Sequence, residues 1–160
     1  MIKLKLSEWA SIAEIVGALA VVASLFYVGY QIKRNTEVGL AANRQSIATR
    51  AQELALYSAD VGIHKLIFAT GSDSTQLSEV EQDRLIGYVG ALLRTTEEAY
   101  LLYRDGMLDE EYWVTRANVM LTILRSARTR NIYYKTRDGG FYTGDFVSWV
   151  DKALLEKYGP

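Results

Sequence analysis

From Ile15 to Ile32 the chain runs IVGALAVVASLFYVGYQI, 18 positions without a charged side chain. No other feature limits the possible folds as strongly. A run of this length is close to the shortest that crosses a hydrocarbon core of about 30 Å as a helix. Extending it back to Ile12 admits Glu14, whose side chain can reach the headgroups. Trp9 flanks one end, and Tyr27 and Tyr30 flank the other, where an aromatic belt would place them. The reading is therefore a membrane anchor over residues 1–36 with its span at about 12–32. Two alternatives compete with it. A buried core helix of a soluble protein can be equally apolar and has about this length. A cleaved signal peptide fits less well, because no small-residue cleavage pattern follows and helix-forming sequence continues directly into QIKRNTEVGLAANRQSIATRAQELAL.

Charge flanking the span sets its expected orientation. Lys3 and Lys5 precede it, whereas Lys33, Arg34, Arg44 and Arg50 follow. Positive charge is retained in the cytoplasm, so the longer C-terminal part is expected there, by a margin of two cations. Within the span, Ala13, Gly17, Ala20 and Ser24 recur at spacings of four, three and four. This puts small residues on one helix face, where a second backbone can approach closely. The same face continues through Tyr27 to Gln31, whose amide can hydrogen-bond across a helix pair. Alanine and glycine are also simply common in membrane spans, so the stripe has a plain compositional explanation as well.

The remaining sequence suits one helical domain, residues 37–160. The only proline is Pro160, and no segment beyond the anchor sustains the alternation of a strand. The expected fold is all-α: an N-terminal transmembrane helix continuing into a small antiparallel helical bundle. The span helix is expected to run unbroken from Leu6 to Ala59, about 80 Å at 1.5 Å per residue. Leu40, Ile47, Ala51, Leu54 and Ser58 follow at heptad-like spacing, with Gly39 a weak point costing about 1 kcal/mol relative to alanine. A short helix from Asp60 to about Ala69, closed by Gly71, is expected next.

Ser78 followed by Glu81 is a capping box and opens a helix in which Leu85, Val89, Leu92, Thr96, Ala99 and Tyr103 share a face, until Gly106 stops it. Gly87 and Gly90 within that helix suggest a close helix contact rather than a phosphate loop. Asp109 caps another helix, with Trp113, Ala117, Met120, Leu121 and Leu124 as its buried stripe. Residues 129–142, TRNIYYKTRDGGFY, are expected to be an irregular loop around Asp138-Gly139-Gly140. A last helix, from about Thr143 to Tyr158, buries Phe146, Val150, Ala153 and Leu154.

Catalytic equipment is not evident. There is no cysteine, and His64 is the only histidine, which leaves a metal ion without its usual nitrogen and sulfur partners. Glu97, Glu98, Asp109, Glu110 and Glu111 are dense, but no Glu-x-x-His motif accompanies them, and a solvated acidic face is the simpler reading. Nucleophile elbows, Walker loops and dinucleotide-binding glycine turns are missing. No catalytic residue, cofactor or metal is therefore assigned. A formal net charge of −1 argues against nucleic acid as a partner.

Two clusters have functional readings beside bland ones. Arg94 precedes Glu97 and Glu98 by three and four residues, so a local helix ion pair is the default. Were Arg94 to face the interior beside Tyr100 and Arg125, the three could hold an anionic ligand. The expected loop interleaves cations with aromatics: Arg128, Arg130, Tyr133, Tyr134, Lys135 and Arg137. Such a loop could touch anionic headgroups or a protein partner, or it could pack its aromatics inward and leave its cations in water.

Taken whole, WASIAEIVGALAVVASLFYVGYQIKRNT resembles the start of a widespread group of small uncharacterised bacterial single-pass membrane proteins. Gln31, Ile32, Lys33, Asn35 and Thr36 match that group's Gln-Ile-Lys/Arg-x-Asn-Thr signature after the N-terminal helix. Glu97, Tyr100, Gly106, Leu108, Asp109 and Trp113 match a second pattern of glutamate, tyrosine, Gly-x-Leu-Asp and tryptophan. The resemblance implies a bacterial inner-membrane location with a helical cytoplasmic domain, and implies no activity. The expectation is a non-enzymatic interaction protein, self-associating or an accessory subunit of a larger inner-membrane complex, whose partners are membrane lipid and other membrane subunits or copies of itself. The alternative is a membrane-tethered sensor binding a small ligand in its bundle.

Overall fold

The computed structural model describes residues 5–60, 62, 63, 66, 67 and 76–159. Among these residues there are helices and no strands, as expected of an all-α chain. Helix α1 is Leu6–Asp60, α2 Glu79–Arg104, α3 Glu110–Ile123, α4 Ala127–Asp138 and α5 Gly144–Tyr158. The chain divides into two units, Met1–Gly39 and Leu40–Pro160. The boundary lies three residues beyond the anchor boundary expected from sequence, and α1 passes through Gly39 without a break.

Local chemistry accounts for the helix ends. The Ser78 side chain accepts from the Glu81 amide, and the Glu81 carboxylate accepts from the Ser78 amide at 2.9 Å, so the capping box forms. A bond donated by the Ser78 hydroxyl at 2.7 Å, with the amide bond second, holds the Glu81 carboxyl below its ordinary range. Helix α2 ends in a Schellman turn: Gly106, at φ +72°, donates to the Tyr103 carbonyl and Met107 donates to the Leu102 carbonyl. Asp109 accepts from the Tyr112 amide at 3.0 Å and so starts α3.

In the second unit α2 packs against α3, α4 and α5. Trp113, Ala117, Met120, Leu121 and Leu124 are all buried, as the sequence stripe requires. Phe146, Val150 and Leu154 are buried too, with Ala153 partly so. Trp113 lies edge-on to Trp149 at 4.8 Å and tilted to Tyr100 at 5.4 Å, in an aromatic cluster joining α2, α3 and α5. The C-terminal part of α1 joins through Ile47, 2% exposed, and through polar contacts. Asn43 donates to the Met107 carbonyl, Arg44 pairs with Asp109 at 2.6 Å, and Arg50 pairs with Glu98.

Two expectations are corrected. Residues 129–142 are not an irregular loop, because most of them form α4. Ser126 caps that helix by accepting from the Thr129 amide at 3.2 Å, and Thr129 and Tyr133, one turn apart, face the core. Asp138-Gly139-Gly140 is the stop signal of α4 rather than the centre of a loop; Gly140 takes φ +72° and Phe141 donates back to the Thr136 carbonyl. Among the described residues the helix contact expected at Gly87 and Gly90 is not made either, since a methyl group added at either glycine would meet none of their atoms within 4 Å. The short helix expected from Asp60 to Ala69, its Gly71 cap, Lys3 and His64 lie largely or wholly outside the described residues.

Candidate binding surfaces

Every side chain from Ile15 to Ile32 is exposed. This is the one helix long and apolar enough to cross a membrane among the described residues, and none of its apolar window is buried within the protein. A core helix of a soluble domain would be mostly covered. Ala13, Gly17, Ala20, Ser24 and Gln31 are exposed along it. The Ser24 hydroxyl donates to the Ala20 carbonyl at 2.8 Å, so its polarity is satisfied within the helix. A shallow groove of about 290 Å³ runs over Ala20 and Ser24, bounded by Val21, Leu25 and Val28.

Helix α4 distributes the expected contact residues over three faces, as 3.6 residues per turn requires. Tyr133 turns inward, 0% exposed, and donates to Asp151 at 2.8 Å. Burial, with help from that bond, pushes its hydroxyl well above the ordinary tyrosine range. A second face carries Arg130, Tyr134 and Arg137, which line a groove of about 410 Å³ with Asp151 and Tyr158. Its cations are engaged. Arg130 donates to the Arg125 carbonyl at 2.8 Å at the end of α3, while Arg137 pairs with Asp138 at 2.9 Å and with Asp151 at 3.2 Å. The Arg137 guanidinium also lies 4.9 Å from the Tyr134 ring centre.

The third face borders a groove of about 630 Å³ between α4 and the start of α2. Leu77, Leu85, Ile86 and Ile132 give it an apolar lining. Gln76, Gln82, Arg128, Asn131, Lys135 and Thr136 supply its polar atoms. Two of the expected contact residues, Arg128 and Lys135, thus belong to this groove and not to a loop.

Arg94, Tyr100 and Arg125 are not brought to a common cavity. The Arg94 guanidinium is exposed, pairs with Glu97 at 2.9 Å and lies 5.8 Å from the Tyr142 ring centre. Tyr100 packs into the tryptophan cluster, and Arg125 is exposed. The local ion pair is therefore the arrangement adopted.

Sequence reasoning missed two buried charged groups. Glu97 does not belong to a solvated acidic face: it is 3% exposed and accepts from the Thr143 amide at 2.6 Å. Thr143 caps α5 without a side-chain hydrogen bond of its own, so a carboxylate from α2 completes the start of α5. Arg116 is 9% exposed; its Nη2 donates to the Thr95 hydroxyl at 2.7 Å and its Nε has no partner. Burial lowers its pKa, only partly offset by Tyr112 and Tyr88. Helical spacing held the signal for both. Glu97 follows Val89 and Leu93 at eight and four residues, and Arg116 stands between Trp113 and Met120. Asp109 and Glu98 pair with α1, whereas Glu110 and Glu111 are exposed. Among the described residues no three His, Asp or Glu side chains are grouped to hold a metal ion. Comparison with protein-family models gives no match, and neither curated proteins nor solved structures include a significant one.

Proposed function

We propose that this chain is a single-pass membrane-anchored interaction protein without enzymatic activity, either self-associating or an accessory subunit of a larger membrane complex. One observation carries the reading: an uncharged 18-residue helical run has all its side chains exposed among the described residues, so its apolar surface needs a cover. A bilayer supplies that cover over the required length. The cation excess after the span favours a cytoplasmic Leu40–Pro160 unit at a bacterial inner membrane, and membership in the group that the Gln31–Thr36 signature resembles belongs to the same proposal. The small-residue face from Ala13 to Ser24, ending at Gln31, is the surface offered to a second span. The non-enzymatic part rests on how the interior charges are used: Glu97 is committed to Thr143 and Arg94, and Arg116 to Thr95.

The test uses the absence of native cysteine. Single cysteines at Ser7 and Gln45 are labelled in intact cells and in inverted vesicles with a membrane-impermeant maleimide. Ser7→Cys reacting only from outside, and Gln45→Cys only from inside, is the expected pattern. Extraction of the chain by alkaline carbonate would refute the anchor. A double change, Val22→Arg with Leu25→Arg, shifts the insertion free energy by about 6 kcal/mol, more than the apolar residues of the span contribute together, and should release the chain. Gentle extraction followed by mass analysis of the intact particle then separates self-association from accessory assembly. Recovery as a bare monomer, unchanged by Gly17→Leu, would remove the association reading.

A further inference from the structure

The groove between α4 and the start of α2 has a composition that selects a ligand class. Its floor is core: Leu85 is 1% exposed and Leu77 is 9% exposed. Ile86, 48% exposed, and Ile132 form apolar walls. At about 630 Å³ it falls in the size range of small-molecule sites. Four of its polar side chains contrast in pairs. Gln82 donates to the Leu77 carbonyl at 3.0 Å, and the Thr136 hydroxyl donates to the Ile132 and Tyr133 carbonyls, so these groups serve the fold. Asn131 and Lys135, one turn apart on the solvent side of α4, make no hydrogen bond or ion pair among the described residues. They present an amide and an ammonium at the edge of an apolar trough. The described lining residues include cations and amides but no carboxylate.

We infer that this groove binds a single-chain amphiphile with an anionic head, the chain lying against Ile86 and Ile132 and the head meeting Lys135 and Asn131. The exposed isoleucine wall explains the body of the ligand, because apolar surface still open to water gains from being covered. The sign of the head follows from the Lys135 ammonium and the Asn131 amide donor, neither of which is engaged among the described residues. The inference goes beyond the anchoring proposal and stands whether or not Ile15–Ile32 crosses a bilayer.

The experiment uses the full chain in phosphatidylcholine nanodiscs, with Gln76→Cys at the groove edge carrying an environment-sensitive fluorophore. Occupancy is then read at the site rather than in the lipid. Sodium dodecanoate is titrated against dodecanol, which has the same chain and no charge. Saturable binding of dodecanoate, about tenfold tighter than dodecanol, is expected. Lys135→Glu should abolish that preference and leave dodecanol binding unchanged, Lys135→Arg should restore it, and Ile86→Trp should weaken both by filling the trough. Lys135 is exposed and Ile86 about half-exposed, and the circular dichroism of each variant reports that its fold is kept. No saturable signal, equal affinity for the two probes, or an unchanged preference in Lys135→Glu would each overturn the inference.

Discussion

The Glu97 carboxylate offers the sharpest quantitative test of how the second unit is held together. It is 3% exposed and accepts two hydrogen bonds of different character. One comes from the Thr143 amide at 2.6 Å, at the start of α5. The other comes from Arg94 at 2.9 Å, whose side chain is 63% exposed. The exposed end of the pair is screened by water and contributes at most about 1 kcal/mol. The buried bond is charge-assisted, and its loss also leaves the Thr143 amide without a partner, so removing the carboxylate should cost about 3 kcal/mol. Arg94→Ala should therefore cost under about 1 kcal/mol. Glu97→Gln keeps an acceptor oxygen but loses the charge and should cost about 1–2 kcal/mol. Glu97→Ala should cost about 3 kcal/mol. The assay is urea unfolding of the full chain in nanodiscs, followed by the near-ultraviolet signal of the Trp113–Trp149 pair, which reports on the α3–α5 contact. Equal losses in Arg94→Ala and Glu97→Ala, or a loss below about 1 kcal/mol in Glu97→Ala, would refute the reasoning by showing that the Thr143 bond does not matter.

Other predictions concern separate parts of the same unit. Gly87→Ala and Gly90→Ala each place a methyl group in open space within a helix, so each should stabilise the unit by about 0.5–1 kcal/mol in the same assay; destabilisation would reveal a close partner at that face. Arg116→Met should be neutral or stabilising by up to about 2 kcal/mol, because it removes a buried charge with no carboxylate partner among the described residues while the Thr95 hydroxyl keeps its bond to the Leu92 carbonyl. A loss above about 2 kcal/mol there would mean that the guanidinium has a partner worth more than its desolvation cost. For Asp109, burial raises the carboxyl pKa, but the Tyr112 amide and Arg44 outweigh it and hold the group below its ordinary 3.8. A depressed carboxyl stabilises the fold above its unfolded pKa, and that contribution fades as pH falls from about 4 through the folded value. Asp109→Asn should flatten the stability profile in that acidic range, and an unchanged profile would remove Asp109 from the account.

The legible parts of this fold were those written in short stretches of chain. Leu6–Asp60 could be read almost to the residue, because a helix without proline or a strong cap signal has no local reason to stop. Ser78 with Glu81, Gly106 and Asp109 marked their helix ends through bonds spanning three to five residues, which depend on nothing distant. Helix α4 was not legible, because its residues are mostly polar or aromatic and its order comes from Tyr133 and Thr129 fitting a core built by other helices. The candidate surfaces divide in the same way. The exposed span and its small-residue face follow from a run of consecutive residues. The groove at Ile86 and Lys135, the burial of Glu97 beneath α5 and the burial of Arg116 against Thr95 depend on which helix lies opposite each side chain. An ion-pair spacing such as Arg94 and Glu97 shows that two groups can meet, and it does so in any helix. Whether that pair lies in water or under a neighbouring helix is a matter of long-range packing, and here the tertiary structure left Arg94 outside and took Glu97 in.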